Sequence, residues 1–446
     1  MAERFDLILR GGAVATPSGV EPADIGVIAG RIAALGALGG ASAAETVDCT
    51  GLTVLPGVID TQVHFREPGG EHKEDLATGT AAAVAGGVTA IFEMPNTTPL
   101  TTSAEALADK LARARGRAWC DHAFFVGGTA TNAEDLPRLE RLPGCAGVKI
   151  FMGSSTGDLL SSDDGSIGRI LANGRRRVAV HAEDEERLKE RRAMVADGAP
   201  VRMHPEWRDV ETALGATRRL LRLASEARRR VHVLHVTTGE EMELLAGHKA
   251  LATVEVTPQH LTFAGPECYD VLGSRAQMNP PIRDEAQRAA LWRAVADGTV
   301  DVLGSDHAPH TLEEKARPYP QSPSGMTGVQ TLVPVMLTHV AEGRLTLQRF
   351  IDLTSAGPAR VFGIAGKGRI ARGYDADFTI VDLDARRRIT DGWIRSRSAW
   401  TPYDGVEVIG WPVMTVLRGR VVMRDDELLG EPAGAPVRFL ECLDAG

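Results

Sequence analysis

The chain has 446 residues, of which 43% are hydrophobic and 24% are charged, as in a globular protein with a large core. No apolar run in the sequence approaches the roughly 20 residues of a membrane span, so the composition argues against membrane insertion. The net charge of −9 argues against a nucleic-acid-binding surface, because binding phosphates requires concentrated lysine and arginine.

The cysteines and the N-terminus indicate a reducing compartment. The five cysteines are scattered and never form a Cys-x-x-Cys pair, which predicts free thiols rather than disulfides or a structural zinc site. Residues 1–6 lack the basic segment and apolar stretch of a secretory signal. We therefore expect a cytoplasmic protein.

The two ends of the chain contain short strands separated by glycine and proline turns. These strands are predicted at residues 6–10, 24–28, 31–35, 377–381, 413–417 and 420–423. Each end alone has too few strands for a stable core. The pattern therefore predicts one small β-sandwich domain, built from residues 1–54 and 366–446.

Between these ends, strand-like runs alternate with amphipathic helices. The eight runs are residues 52–64, 88–95, 123–127, 147–153, 177–181, 231–236, 252–257 and 300–306. Six helices are predicted between them, at residues 73–85, 104–115, 185–196, 210–229, 240–246 and 288–296. This alternation predicts an α/β fold, a (β/α)₈ TIM-like barrel over residues 55–365.

Five of the runs carry metal-competent groups at or near their ends. These groups are His64, Lys149, His181, His235 and Asp306. A single strand histidine is more often a core residue than a ligand, but catalytic groups of a barrel collect at the carboxyl ends of its strands. Imidazoles and carboxylates hold a hydrolytic metal while leaving a position for water.

Lys149 is the unusual member of this set. A buried lysine has a lowered pKa, and its neutral amine can capture carbon dioxide to give a carbamate that bridges two metals. The alternative is an ordinary ion pair at the barrel rim.

Several motifs resemble the amidohydrolase superfamily and, within it, the dihydroorotases. They are His64-Phe65-Arg66-Glu67-Pro68-Gly69, Glu93-Met94-Pro95-Asn96-Thr97, His181-Ala182-Glu183-Asp184, Asn279-Pro280-Pro281-Ile282-Arg283 and Asp306-His307-Ala308-Pro309-His310. The resemblance implies a pyrimidine-biosynthetic enzyme that interconverts N-carbamoyl-L-aspartate and L-dihydroorotate. It also implies one or two zinc ions held by the five groups above, a carbamylated Lys149, and a homodimer.

The resemblance extends to the substrate side. It implies that Arg66, Asn96, Asn279 and His310 bind the substrate and that Asp306, besides touching metal, moves the proton from water to the leaving nitrogen. Arg66 has an alternative role as a salt-bridge partner of Glu67. His307 should point to the opposite side of its strand and be structural, and residues 310–328 should form a mobile loop over the barrel mouth.

The chain departs from the family pattern at two places, and its bridging position has an alternative. Gln62 stands where relatives have the first histidine of a His-x-His pair, which predicts weaker metal binding next to His64 and Asp306. Some relatives bridge their metals with an aspartate, and Asp163 is the alternative to Lys149. Gln259-His260 stands where many relatives have two histidines. The sequence does not indicate what this difference changes in the site.

Two other functions compete with dihydroorotase. A hydantoinase or allantoinase would use the same metal chemistry on other cyclic ureides, although Arg66 and the Glu93–Thr97 motif argue against them. Gln62 also motivates a noncatalytic relative that serves as a partner of aspartate transcarbamoylase. Retention of the other ligands favours an enzyme.

Overall fold

The computed structural model describes residues 4–155 and 159–442, so residues 1–3 and 443–446 of the predicted β domain lie outside it. The strands in the described part are β1 (Phe5–Thr16), β2 (Gly19–Ile28), β3 (Arg31–Gly36), β4 (Ala43–Asp48), β5 (Thr53–Pro56), β6 (Val58–Val63), β7 (Val88–Glu93), β8 (Asp121–Gly127), β9 (Cys145–Phe151), β10 (Val178–His181), β11 (Val231–Val233), β12 (Ala252–Val256), β13 (Val302–Leu303), β14 (Phe378–Arg388), β15 (Glu407–Leu417), β16 (Arg420–Arg424) and β17 (Glu427–Leu428).

The α-helices in the same part of the chain are α1 (Leu76–Ala85), α2 (Ala104–Ala114), α3 (Leu136–Leu139), α4 (Asp164–Ala172), α5 (Glu185–Arg191), α6 (His204–Trp207), α7 (Val210–Glu226), α8 (Gly239–Ala246), α9 (Pro258–Thr262), α10 (Glu267–Leu272), α11 (Glu285–Asp297), α12 (Leu312–Lys315), α13 (Leu332–Ala341), α14 (Leu347–Ile351) and α15 (Gly357–Phe362).

Strands β6 to β13 are parallel and lie side by side in chain order. The first and last are brought together at one end, where the backbone N–H of His64 donates to the carbonyl of His307 at 2.7 Å. Their residues are buried on both faces, which explains the continuous apolar runs in the sequence. The predicted (β/α)₈ barrel is confirmed.

The two chain ends meet in one separate sheet. Its described strands are hydrogen-bonded in the order β17-β16-β15-β14-β5-β1-β2-β3, and β4 pairs with β1. Strand β5 joins the two ends, because it is parallel to β1 and antiparallel to β14. The sheet has an apolar core of its own, which includes Leu9, Ile25, Val54, Phe378 and Val416. The predicted union of both ends is therefore confirmed.

One strand assignment was wrong. The run 52–64 is two strands, of which β5 belongs to the end sheet and β6 to the barrel. The break falls at Gly57, whose N–H donates to the carbonyl of Asp377 at 2.9 Å. A Cβ at this position would lie 2.3 Å from Oγ1 of Thr89, so the crossing between the sheets leaves no room for a side chain.

A buried ionic cluster joins the end sheet to the barrel. The Nζ atom of Lys367 lies 2.7 Å from Oδ2 of Asp121, at the start of β8, and also contacts Asp377, which precedes β14. These three side chains are all buried. Removing one partner would leave an uncompensated charge, so the cluster holds the two parts in a defined arrangement.

All five cysteines are free thiols, as predicted. Crossing a membrane would require a longer and more apolar helix than any in the described ranges.

Candidate active site

A small cavity lies among the carboxyl ends of the barrel strands. Its lining consists of Gln62, His64, Arg66, Phe151, Ser155, His181, His235, Asn279, Asp306, Ala308, Ser324 and Gly325. Six of the nine predicted site residues therefore share one cavity. Lys149, Asn96 and His310 are not part of this lining, and their surroundings are described below.

Two histidines form the first contacting pair. His181 ends β10, and its Nδ1 lies 3.1 Å from Nε2 of His235, which follows β11. The Nε2 atom of His181 lies 2.9 Å from Oε2 of Glu183. Since a carboxylate accepts, that nitrogen carries the proton and Nδ1 presents its lone pair to His235. Burial lowers the pKa of both imidazoles and keeps them in the neutral, metal-binding form.

Glu183 is in turn held by Arg208. The Nε atom of Arg208 donates to Oε1 of Glu183 at 3.0 Å, and both side chains are buried. Burial opposes ionisation of Glu183, but the guanidinium outweighs it and holds the pKa of that carboxyl well below its usual range. Glu183 is therefore an anion that fixes the tautomer and orientation of His181. Neither the role of Glu183 nor that of Arg208 was predicted, although Glu183 stands in the His181-Ala182-Glu183-Asp184 motif.

His64 and Asp306 form the second contacting pair. The Nε2 atom of His64 lies 3.3 Å from Oδ1 of Asp306, and its Nδ1 lies 2.8 Å from Oδ1 of Asn96. With Nδ1 donating to Asn96, the lone pair of Nε2 points toward the carboxylate. Burial lowers the pKa of His64, so no proton on Nε2 relieves this contact at neutral pH. A lone pair facing a carboxylate suits a bound cation.

Asn96 therefore lies behind His64, and this contact explains why it is absent from the cavity lining. Its predicted role as a substrate-binding group remains a prediction.

Gln62 lies beside the second pair, at the position of the missing histidine. Its Nε2 donates to Oδ1 of Asp306 at 3.1 Å. Its Oε1 is buried and accepts no hydrogen bond from any described residue. The amide thus orients Asp306 and keeps one weak oxygen donor available on the same side of the cavity.

Lys149 lies on β9 and is completely buried. Its Nζ has no hydrogen-bond or ion-pair partner among the described residues and lies 4.4 Å from the centre of the Phe151 ring. Burial lowers the pKa of Lys149 to about 7. Its ammonium group interacts electrostatically with His181, His235 and Asp306, so it lies close to both pairs. An ordinary ion pair at the rim does not describe this lysine.

The alternative bridging residue lies elsewhere. Asp163 is exposed, and its carboxylate accepts the N–H of Ser166 at 2.8 Å, which caps α4.

Arg66 contributes a cation to the cavity wall. Its Nε donates to the carbonyl of Pro309 at 3.2 Å, and no described carboxylate forms an ion pair with it. The alternative partner Glu67 instead pairs with Arg117, whose NH1 lies 2.7 Å from Oε1 of Glu67. Burial lowers the pKa of Arg66 to about 10, which still leaves it charged at neutral pH.

His310 lies behind Arg66, 3.3 Å from its NH2. Its Nε2 lies 3.0 Å from the carbonyl of Ser324, and its Nδ1 lies 3.1 Å from Nζ of Lys73. Nε2 therefore donates and Nδ1 accepts. Burial lowers the pKa of His310 to about 3, so the ring is neutral.

His307 is turned away from the cavity, as predicted. Its Nδ1 accepts from the N–H of Gly328 at 3.0 Å, and its Nε2 lies 3.3 Å from Oε2 of Glu74. Asn279 does line the cavity, with its Oδ1 3.0 Å from Nε2 of His204.

Backbone strain marks three of the cavity residues. Arg66, His235 and Asp306 have φ values of 63°, 37° and 45°, in the left-handed region that non-glycine residues rarely adopt. Such conformations cost about 1–3 kcal/mol each and persist where function requires them. The three residues lie two or three positions after the ends of strands β6, β11 and β13, and all three line the same cavity.

Two buried carboxyl groups close to these residues were not predicted. Oε2 of Glu255 accepts from Thr61 at 2.9 Å, and Oδ1 of Asp60 accepts from the N–H of Ser305 at 3.0 Å. Burial raises the pKa of Glu255 to about 8 and that of Asp60 to about 7. Glu255 is therefore largely protonated at neutral pH and adds little negative charge to the barrel interior.

The two pairs could hold a metal only with an additional ligand. Within residues 4–155 and 159–442, no three histidine, cysteine, aspartate or glutamate side chains converge as a metal site. Each pair supplies two donors, and Lys149 is a buried group in electrostatic range of both whose Nζ has no hydrogen-bond partner among the described residues. The residues therefore fit a metal centre, and the amine of Lys149 and the amide oxygen of Gln62 are further unpartnered groups close to the two pairs.

Gln62 allows this interpretation to be tested by metal content. We expect Gln62→His to raise the amount of zinc that the chain retains, because imidazole binds zinc more strongly than an amide oxygen. Elemental analysis after dialysis against buffered zinc would measure the change. Gln321→His adds an imidazole at an exposed position and should leave the content unchanged. Equal zinc in wild type and Gln62→His would contradict a metal position beside Gln62.

Comparison with known proteins identifies the family of this chain. The sequence profile of the amidohydrolase family matches residues 53–422. A dihydroorotase of Halobacterium salinarum is 38% identical over 84% of this chain and 87% of the relative. An allantoinase of Rubrobacter xylanophilus is 37% identical over 97% of this chain and 98% of the relative.

Among solved structures, an L-hydantoinase (dihydropyrimidinase) from Arthrobacter aurescens superposes with a TM-score of 0.91 at 30% sequence identity. The match covers 97% of this chain and 99% of that one. The similar proteins are named as three different cyclic amide hydrolases, and the solved one has the same fold as this chain.

Proposed function

Because this chain belongs to the amidohydrolase family and is a cyclic amide hydrolase, we propose that it is a dihydroorotase. It would interconvert N-carbamoyl-L-aspartate and L-dihydroorotate in pyrimidine biosynthesis. The curated relatives named dihydroorotase support this reading, including one from Methanosarcina mazei that is 34% identical over 98% of the chain.

The choice of dihydroorotate as substrate rests on the surroundings of Arg66. It is a buried cation in the cavity wall without an anionic partner among the described residues. Dihydroorotate and N-carbamoyl-aspartate carry carboxylates, whereas hydantoin and allantoin are uncharged rings. A substrate carboxylate would neutralise Arg66 through charge-assisted hydrogen bonds. Asn279 and the backbone around Ser324 would complete the pocket.

His181 and His235, together with a carbamylated Lys149, would hold one metal, and His64 and Asp306 would hold a second, more weakly. Zinc is the expected metal for this donor set. When bound, it activates water and polarises the amide carbonyl. The protein itself supplies the proton acceptor: Asp306, held by Gln62, would take the proton of the attacking water and deliver it to the leaving nitrogen.

Substrate comparison tests this proposal. We expect dihydroorotate to be hydrolysed with a higher kcat/KM than hydantoin, dihydrouracil or allantoin. Arg66→Gln should lower kcat/KM for dihydroorotate by about 100-fold, because the substrate carboxylate would lose its buried partner. The same change should affect hydantoin much less, since hydantoin has no carboxylate. Arg222→Gln, on the surface of α7, is the matched control. A preference for allantoin or hydantoin would overturn the assignment.

Two alternative functions would give different results in this experiment. The allantoinase relative supports turnover of allantoin by the same metal chemistry. A noncatalytic partner of aspartate transcarbamoylase would bind no metal and turn over no substrate, so metal content is measured on the same preparation. Our proposal also includes a homodimer, which sedimentation analysis would test.

A further inference from the structure

Lys315, at the end of α12, is buried outside the set of groups assigned above. It is 1% exposed, and no described carboxylate forms an ion pair with it. Its Nζ instead donates to three backbone carbonyls, those of Gln277 at 3.1 Å, Pro323 at 2.9 Å and Gly325 at 3.0 Å. A lysine has three N–H donors, so this geometry uses all of them.

These carbonyls belong to two segments of the cavity wall. Gly325 and Ser324 line the cavity from one segment, and Asn279, two residues after Gln277, lines it from the other. The segments also bond to each other directly, because the N–H of Gly325 donates to the carbonyl of Gln277 at 2.9 Å. Lys315 therefore lies behind the contact between these two segments, here called the seam, and does not reach the cavity itself.

A buried ammonium without a counterion is costly unless hydrogen bonds compensate it. Burial lowers the pKa of Lys315 to about 7, while the three carbonyl dipoles stabilise its charged form. The indole of Trp400 packs nearby, 5.8 Å from Nζ, and donates to the carbonyl of His310 at 2.7 Å. Lys315 thus belongs to a group of contacting residues that also includes His310, the histidine behind Arg66.

We propose that Lys315 is a positioning residue of the active site, which fixes the Gly325 segment against the Gln277 segment and so sets where Asn279 and Ser324 face the substrate. Lys315 would hold these two segments at the positions from which they contact the bound ring. The inference rests on the proposed function only through the choice of substrate.

Lys315→Met tests this role, because methionine keeps the length and apolar packing but removes all three donors. We expect KM to rise by about 10- to 100-fold with a much smaller change in kcat, since the wall contacts the substrate rather than the reacting atoms. Zinc content should stay at the wild-type value. Hydrogen exchange of the Gly325 amide should become faster, while exchange in β9 and β10 stays unchanged.

Lys249→Met is the matched control. Lys249 also donates to a carbonyl, that of Thr299 at 2.7 Å, but at the amino-terminal end of β13. It should leave KM unchanged. Should Lys315→Met fail to fold, Ser322→Ala removes one bond of the same seam, from Oγ of Ser322 to Oε1 of Gln277, and should raise KM in the same direction but less.

Different results would contradict the proposed function and the role of Lys315. KM is compared for whichever cyclic amide the wild-type enzyme hydrolyses best, so a different substrate leaves the role of Lys315 testable. An inactive wild type would overturn the proposed function, and hydrogen exchange at Gly325 would still decide the inference. Unchanged exchange and KM in Lys315→Met, or an equal KM shift in Lys249→Met, would overturn the positioning role.

Discussion

Asp306→Asn is expected to lower kcat for dihydroorotate by about 10²- to 10⁴-fold, the range for loss of a general acid–base group. Asparagine has nearly the same size and keeps one oxygen to accept from Gln62, which donates to Oδ1 of Asp306 at 3.1 Å. The amide cannot accept the proton of water, however, and cannot pass it to the leaving nitrogen. Steady-state kinetics in both directions would measure the loss.

Metal content separates the proton-transfer role of Asp306 from its role as a ligand. If Asp306 only bound metal, excess zinc during the assay would restore much of the activity of Asp306→Asn. We expect little recovery, because the missing proton acceptor is not replaced by metal. Asp163→Asn makes the same exchange at an exposed helix cap, which asparagine also provides, and is the matched control. A kcat within tenfold of wild type would show that another group moves the proton.

The sequence predicted the barrel and the convergence of its candidate ligands for a local reason. Each parallel strand carries its own apolar run and its own polar end, so His181, His235 and Asp306 could be recognised one strand at a time. Since carboxyl ends of parallel strands meet at one edge, their proximity followed from the topology. No long-range contact had to be known.

The supporting residues could not be predicted in the same way. Glu183 and Arg208 are separated by 25 positions, and Lys315 bonds to Gln277 across 38 positions. Nothing in the local pattern distinguishes these charges from solvated ones, because their significance comes from burial and from their partners. The break at Gly57 was missed for a similar reason, since the clash that requires glycine comes from Thr89 on another strand.

Gln62 illustrates an intermediate case. The sequence indicated that a ligand was missing but not what the amide does instead. In the structure it holds Asp306 by its nitrogen and leaves its oxygen unpartnered. Its hydrogen bond to Asp306 depends on which end of the amide faces the carboxylate, and the local sequence does not specify this orientation.

Lys149→Ala is expected to lower kcat/KM by at least about 100-fold, because both pairs would lose their shared third donor. The Nζ atom has no partner among the described residues to explain its burial, and its lowered pKa of about 7 leaves a substantial neutral fraction at physiological pH. Only the neutral amine can form a carbamate. The loss should be accompanied by a lower zinc content.

Small carboxylates provide a direct test of the carbamate. Alanine leaves space at the end of β9 that acetate or propionate can enter, and their two oxygens have the arrangement of a carbamate. We therefore expect added carboxylate to restore part of the activity and zinc content of Lys149→Ala. Lys149→Met fills the same space with an apolar chain and should show no rescue. Equal zinc and activity in wild type and Lys149→Ala would show that Lys149 is not a bridging ligand, and each pair would then need another source for its third donor.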